Sequence, residues 1–275
     1  MVEAQPYVTE SLPRLTLVTM LAASICLAVS FMGNDGSLRA LASPRRTKIA
    51  LIGLALPSVT VLALETRLDA SAWSGAGPLR PALEFSSSEP ERLGFLLRPL
   101  NAHSSNCLIA AGAHVWGGRF DDCPWATAAL SLSLSLTGLA SYAWWGSRRQ
   151  GAWKCDNRAM EWMLASLAVR LAAAAAPRLD APLVIAGCAV AIARWPADSP
   201  AILEPLLVLA GLAAAALHRR RPASKLAGCG LACAALGLVS KVADLQAGFT
   251  LGTVGFHALE AFAFALLAAW ARGRS

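Results

Sequence analysis

The chain has 275 residues, 56% of them hydrophobic and 15% charged, with a formal net charge of +7 and a mean hydropathy of +0.52. Such values lie outside those of water-soluble domains and make the bilayer the expected solvent. The 24 basic residues are spread over short connections between apolar runs rather than gathered into a groove with interleaved aromatics, which argues against nucleic-acid binding.

The first apolar run, Leu15 to Met32, follows a segment carrying Glu3, Glu10 and Arg14. A cleaved signal peptide wants a basic start and a small-residue cleavage site, so this pattern predicts a retained helix. The second run, Ala50 to Leu64, follows the basic PRRTK (Pro44 to Lys48), is interrupted by Pro57 and ends at Glu65; it is short enough to span, tilt or only dip in. Residues 1–66 are therefore expected to form a leader with one or two membrane helices. Residues 67–102, with Asp69, Arg80, Glu84, Ser86 to Ser88, Glu89, Glu91 and Arg92, read as a polar connection.

Residues 103–275 offer seven apolar runs, about Ser104 to Trp116, Pro124 to Gly146, Ala159 to Ala176, Ala181 to Ala193, Ala201 to Leu217, Leu226 to Ser240 and Thr250 to Trp270. Lipid cannot satisfy backbone polar groups and nothing here alternates as barrel strands do, so each is expected to be a helix. The predicted class is an all-α, multi-pass membrane protein with a seven-transmembrane-helix core and one or two extra N-terminal helices. Proline stands near the run ends at Pro124, Pro177, Pro182, Pro200 and Pro222. Small residues recur in LAAAAAP, AGLAAAAL and GCGLACAALG, which lets helix backbones approach closely. The seven cysteines, Cys26, Cys107, Cys123, Cys155, Cys188, Cys229 and Cys233, contain no CxxC pair and mostly lie inside apolar runs, so they read as small hydrophobes.

If all seven core runs cross, alternation of direction brings Asn101 to Ser105, the connection from Ser141 to Asp156, Asp244 and His257 to one face. The short run at Ala181 is the hinge of this count, since losing one crossing there would separate Asp156 from His257. Basic residues fall almost equally on the two faces, so charge does not assign the orientation. Ionisable residues at membrane depth are functional candidates by default. Among them Arg170 reads as structural, Glu161 as an interface residue one turn beyond Asp156, His114 as packed, and His257 with Glu260 as an i, i+3 pair able to face one ion or proton path.

Order and spacing of these residues resemble the alkaline ceramidases and the wider CREST superfamily of seven-helix membrane proteins. Ser141 stands at that family's serine position near the end of the second core helix. Asp156, in DNRAMEWML, stands at the aspartate position opening the third. NAHSS, with Asn101 and Ser104, is similar to the family's entry to its first core helix, with Glu84 matching an acidic residue before it. Asp244 followed by GFHALEA resembles its final motif, where His257 fills the first position of HxxxH.

The resemblance implies a zinc-dependent hydrolase of linear amides in which three histidines hold the metal and a ceramide-like membrane lipid is the substrate. Two of those positions are replaced here, one by Trp145, four residues after Ser141, and one by Ala261, four after His257. A catalytic zinc needs three protein ligands and an open position, so zinc would have to be held by His257 with Asp156, Glu260 or His103. The readings left open are a ceramidase-like hydrolase, a non-catalytic lipid-binding, receptor-like or scaffold protein of the same fold, and a small transporter.

Overall fold

The computed structural model describes residues 96–116, 123–194, 202–221, 224–247 and 251–272. The leader, most of the polar connection and Glu84 lie outside the described residues. Within them all regular structure is helical and eight helices follow in order: α1 (Pro99–Ser104), α2 (Asn106–Trp116), α3 (Pro124–Ser147), α4 (Gln150–Ala175), α5 (Ala181–Arg194), α6 (Leu203–Arg220), α7 (Lys225–Ala247) and α8 (Gly252–Arg272).

Proline opens α1 and α3 within their first turn, where its missing N–H removes no helical bond. Each of the seven core runs coincides with a helix from α2 to α8. The third extends furthest beyond its apolar stretch: α4 begins at Gln150, so Asp156 lies inside a helix rather than at its edge. The polar first turns of α4 hid that start from an apolar count. Between α3 and α4 the chain reverses at Arg148, which takes a left-handed conformation (φ 53°) while its N–H donates to Trp144 O at 2.7 Å.

Three of these helices are long and apolar enough to cross a membrane, namely Pro124–Ser147, Lys225–Asp244 and Gly252–Arg272. The 14-residue α5 is about 21 Å long at 1.5 Å per residue, shorter than the roughly 30 Å hydrocarbon core. Large apolar side chains point outward from α3 (Leu132, Leu136, Leu139), α6 (Leu207, Val208, Leu212) and α7 (Leu236, Leu238, Val239). In water such faces would be costly, whereas against lipid tails they are matched to their surroundings.

Helix α4 packs against α3, α5, α6 and α8, and α8 packs in turn on α1, α2 and α7. The main core, which includes Leu108, Leu130, Met163, Leu171, Leu217, Phe264 and Trp270, lies between them. Glycines set the closest approaches. A Cβ on Gly112 would stand 2.6 Å from Ser131 O, and one on Gly138 would stand 2.8 Å from Ser105 O, so α2 and α3 touch backbone to backbone.

Candidate functional site

The entry to the helical core is tied to the end of α3 by backbone bonds from Leu97 N to Gly146 O at 2.9 Å and from Arg98 N to Trp145 O at 3.1 Å. These bonds satisfy carbonyls that the last turn of a helix leaves open. They also dock α1 against the face of α3 that carries Ser141 and Trp145, one turn apart. Beside this junction a second apolar cluster, Leu96, Ala102, Trp144, Trp145 and Trp153, forms a wall rich in tryptophan.

Behind that wall is a cavity of about 180 Å³ lined by α3 (Ser141, Trp145), α4 (Asp156, Met160), α7 (Lys241) and α8 (His257, Glu260), among others. Helical spacing explains its composition. Trp153, Asp156, Asn157 and Met160 recur at i, i+3, i+4 and i+7 on one face of α4, and Phe256, His257 and Glu260 share one side of α8. Four residues expected to be functional, Ser141, Asp156, His257 and Glu260, thus come from three helices into one space.

His257 is buried at 4% exposure and held between two serines. Its Nδ1 is 2.7 Å from Ser104 Oγ and its Nε2 is 3.5 Å from Ser141 Oγ. The Ser104 hydroxyl also bonds to the Asn101 carbonyl at 2.9 Å, which is the place of Asn101 and Ser104 in the arrangement. Trp145 meets the imidazole edge-on, with ring centroids 6.5 Å apart.

Lys241 is the member of the site that the sequence did not announce. The sixth apolar run ends at Ser240, which leaves Lys241 just outside it. Helix α7 instead continues to Ala247. The Lys241 ammonium donates to Thr253 Oγ1 at 2.8 Å and lies 5.0 Å from the centre of the Trp145 ring. Asp156, Asp244 and Glu260 all fall within its electrostatic reach. A lone lysine three residues before Asp244 at the end of an apolar run was the available signal.

Other candidates lie elsewhere. His103 is buried but packs edge-on against Tyr142 at 6.0 Å and does not line the cavity. Ala261 is one turn beyond His257 and faces the main apolar core. Asp244 is a clamp: its Oδ2 accepts the Thr253 N–H at 3.1 Å and also the Thr253 hydroxyl, fastening the end of α7 to the first turn of α8. Glu161 pairs with Arg158 at 2.6 Å, away from the cavity.

Among the described residues, no three His, Cys, Asp or Glu side chains are grouped closely enough to hold a metal ion. The cavity has a single imidazole, whose Nδ1 is already bonded to Ser104, and a lysine ammonium shares it with the two carboxylates. This donor set does not fit the three-ligand zinc site that the resemblance implies.

Comparison of the chain with family models, curated proteins and solved structures finds no match. The functional reading therefore rests on the residues and their geometry.

Proposed function

We propose that the protein is a multi-pass membrane protein with a seven-helix core, similar to the alkaline ceramidases, whose cavity receives the polar head of a ceramide-like lipid. One observation carries this reading. Asp156 is only 7% exposed, and its Oδ1 has no hydrogen-bond partner among the described residues while the side chain lines the cavity. A buried carboxylate oxygen left unbonded is costly, so the site is suited to a ligand that brings an N–H or O–H donor.

The rest of the lining supports an amphipathic ligand. Leu108, Trp144, Trp153, Met160 and Phe256 offer an apolar wall, while Ser141, Lys241 and Glu260 offer polar contacts. Few polar groups set in an apolar pocket is the usual make-up of a small-molecule site. An amide and hydroxyls on a long hydrocarbon chain match both halves. The reading involves lipid binding and assigns no role to zinc, because one imidazole among these groups does not make a zinc site.

The test is photo-crosslinking of the full-length protein, purified in lipid nanodiscs, with a ceramide bearing a photoreactive group near its amide. Crosslinks are expected within residues 141–160 or 253–260, to be competed by unlabelled ceramide, and to weaken about tenfold or more in Asp156→Asn, as loss of a bond to a charged acceptor implies. Labelling confined to the outer faces of α6 and α7, or not competed by ceramide, would overturn it.

A further inference from the structure

We propose that Ser141 is a nucleophile and that His257 is its general base, so that the cavity cleaves an acyl lipid through a serine ester and without a metal ion. This rests on the lipid-binding reading above and goes beyond it.

Ser104 has one hydroxyl hydrogen. Two acceptors compete for it, the Asn101 backbone carbonyl at 2.9 Å, which also accepts from the Ser105 hydroxyl at 3.0 Å, and His257 Nδ1 at 2.7 Å. In the tautomer that the proposal takes, Ser104 donates to that carbonyl and its oxygen accepts from His257 Nδ1–H at 2.7 Å. A neutral imidazole has one N–H, so Nε2 holds the lone pair, and the atom facing it at 3.5 Å is Ser141 Oγ. A hydroxyl nucleophile, a base within reach and a third group that orients the base is the general logic of serine catalysis. In resting sites such a bond is often long and tightens only around substrate.

The step balances. Ser141 Oγ bonds to the acyl carbonyl carbon, the carbonyl π electrons move onto oxygen, and the Ser141 proton passes to His257 Nε2. The carbonyl re-forms, the bond to the amine or alcohol breaks, and that leaving group takes the proton from Nε2. Water then attacks the Ser141 ester, gives its proton to Nε2, and a fatty acid departs as the proton returns to Ser141. Lys241 supplies the positive charge in the same cavity that suits the developing oxyanion, while Asp156, a hydrogen-bond partner of Ser141, and Glu260 share the cavity lining. Ser104 is a positioning residue, since it acts through the imidazole.

The experiment uses full-length protein in nanodiscs and two probes: a long-chain alkyl fluorophosphonate, read by peptide mass, and a fluorescent ceramide analogue, read by binding. The expected result is a covalent adduct on Ser141 that is absent in Ser141→Ala, forms about 100-fold more slowly in His257→Gln and is unchanged by a zinc chelator. Ser104→Ala keeps the imidazole but removes its orienting acceptor, so it should slow labelling about tenfold, with Ser104→Thr restoring it; this pair serves if His257→Gln does not fold. Absence of a Ser141 adduct on protein that still binds the ceramide analogue overturns the nucleophile and leaves lipid binding standing. Labelling that is lost to the chelator and restored by zinc overturns it equally. Loss of both labelling and binding in the unaltered protein overturns both readings.

Discussion

Ser104 and His257 lie 153 positions apart in the chain and are joined by a hydrogen bond of 2.7 Å. That bond links the short α1 at the entry of the core to the first turns of its last helix. The Ser141 side chain lies at 3.5 Å on the other edge of the same ring. Anything that shifts α1 against α8 therefore turns the imidazole relative to Ser141.

The clamp between Asp244 and Thr253 fixes where α8 begins, and with it the height of His257. Asp244→Ala leaves the Thr253 N–H and hydroxyl without their acceptor. A loss of about 1–2 kcal/mol is expected, read as a lower unfolding midpoint in mild detergent. Asp244→Asn should recover part of it, because the amide oxygen still accepts one of the two bonds.

Two glycines separate close packing from open outer surface. Gly138→Ala places a methyl carbon 2.8 Å from Ser105 O, so α2 and α3 must part, at a cost of about 1–3 kcal/mol. Gly187→Ala meets nothing within 4 Å in α5 and should stabilise that helix by about 0.5–1 kcal/mol. The same unfolding midpoint reads both, and equal effects at the two positions would contradict the packing described for α2 and α3.

Trp145 occupies the position where the resemblance implies a metal-binding histidine, and its ring instead faces the Lys241 ammonium at 5.0 Å. A cation over a tryptophan face contributes about 0.5–2 kcal/mol. Trp145→Ala should therefore lower the stability of the fold by at least about 0.5–2 kcal/mol, read as a lower unfolding midpoint in mild detergent, and Trp145→Phe should fall between it and the unaltered protein. Elemental analysis of the purified chain is expected to find no stoichiometric zinc, and the small amount present should not depend on His257.

Sidedness is testable with thiols. The exposed Cys155 lies near the start of α4, at the cavity end of the molecule. Position 224 immediately precedes α7, whose first residue, Lys225, stands 16 residues or about 24 Å of helix before Lys241. In a chain whose other cysteines are replaced, Cys155 and a Ser224→Cys thiol should react with an impermeant reagent from opposite sides of sealed vesicles. Reaction from one side would contradict the seven crossings.

The seven helices of the core were legible because an apolar run in lipid must close its own hydrogen bonds and proline marks its ends. Which residues share one helix face was legible too. Ser141 with Trp145, and His257 with Glu260, are neighbours by spacing alone, and the count of crossings brought Asp156 to the same end.

Spacing does not give the rotation of one helix about another, and that is where the sequence reading stopped. His103 sits one residue from Ser104, yet it packs on Tyr142 while Ser104 meets His257. Asp244 and Lys241 are one turn apart on α7, yet the first fastens a helix start and the second enters the cavity. These choices depend on how closely glycine and alanine let the backbones approach, a property of helix pairs rather than of any single run. The sequence by itself determined the helices and the stock of polar groups at one end of them. Only the tertiary packing decided that His257 stands between Ser104 and Ser141, with the Lys241 cation against Trp145.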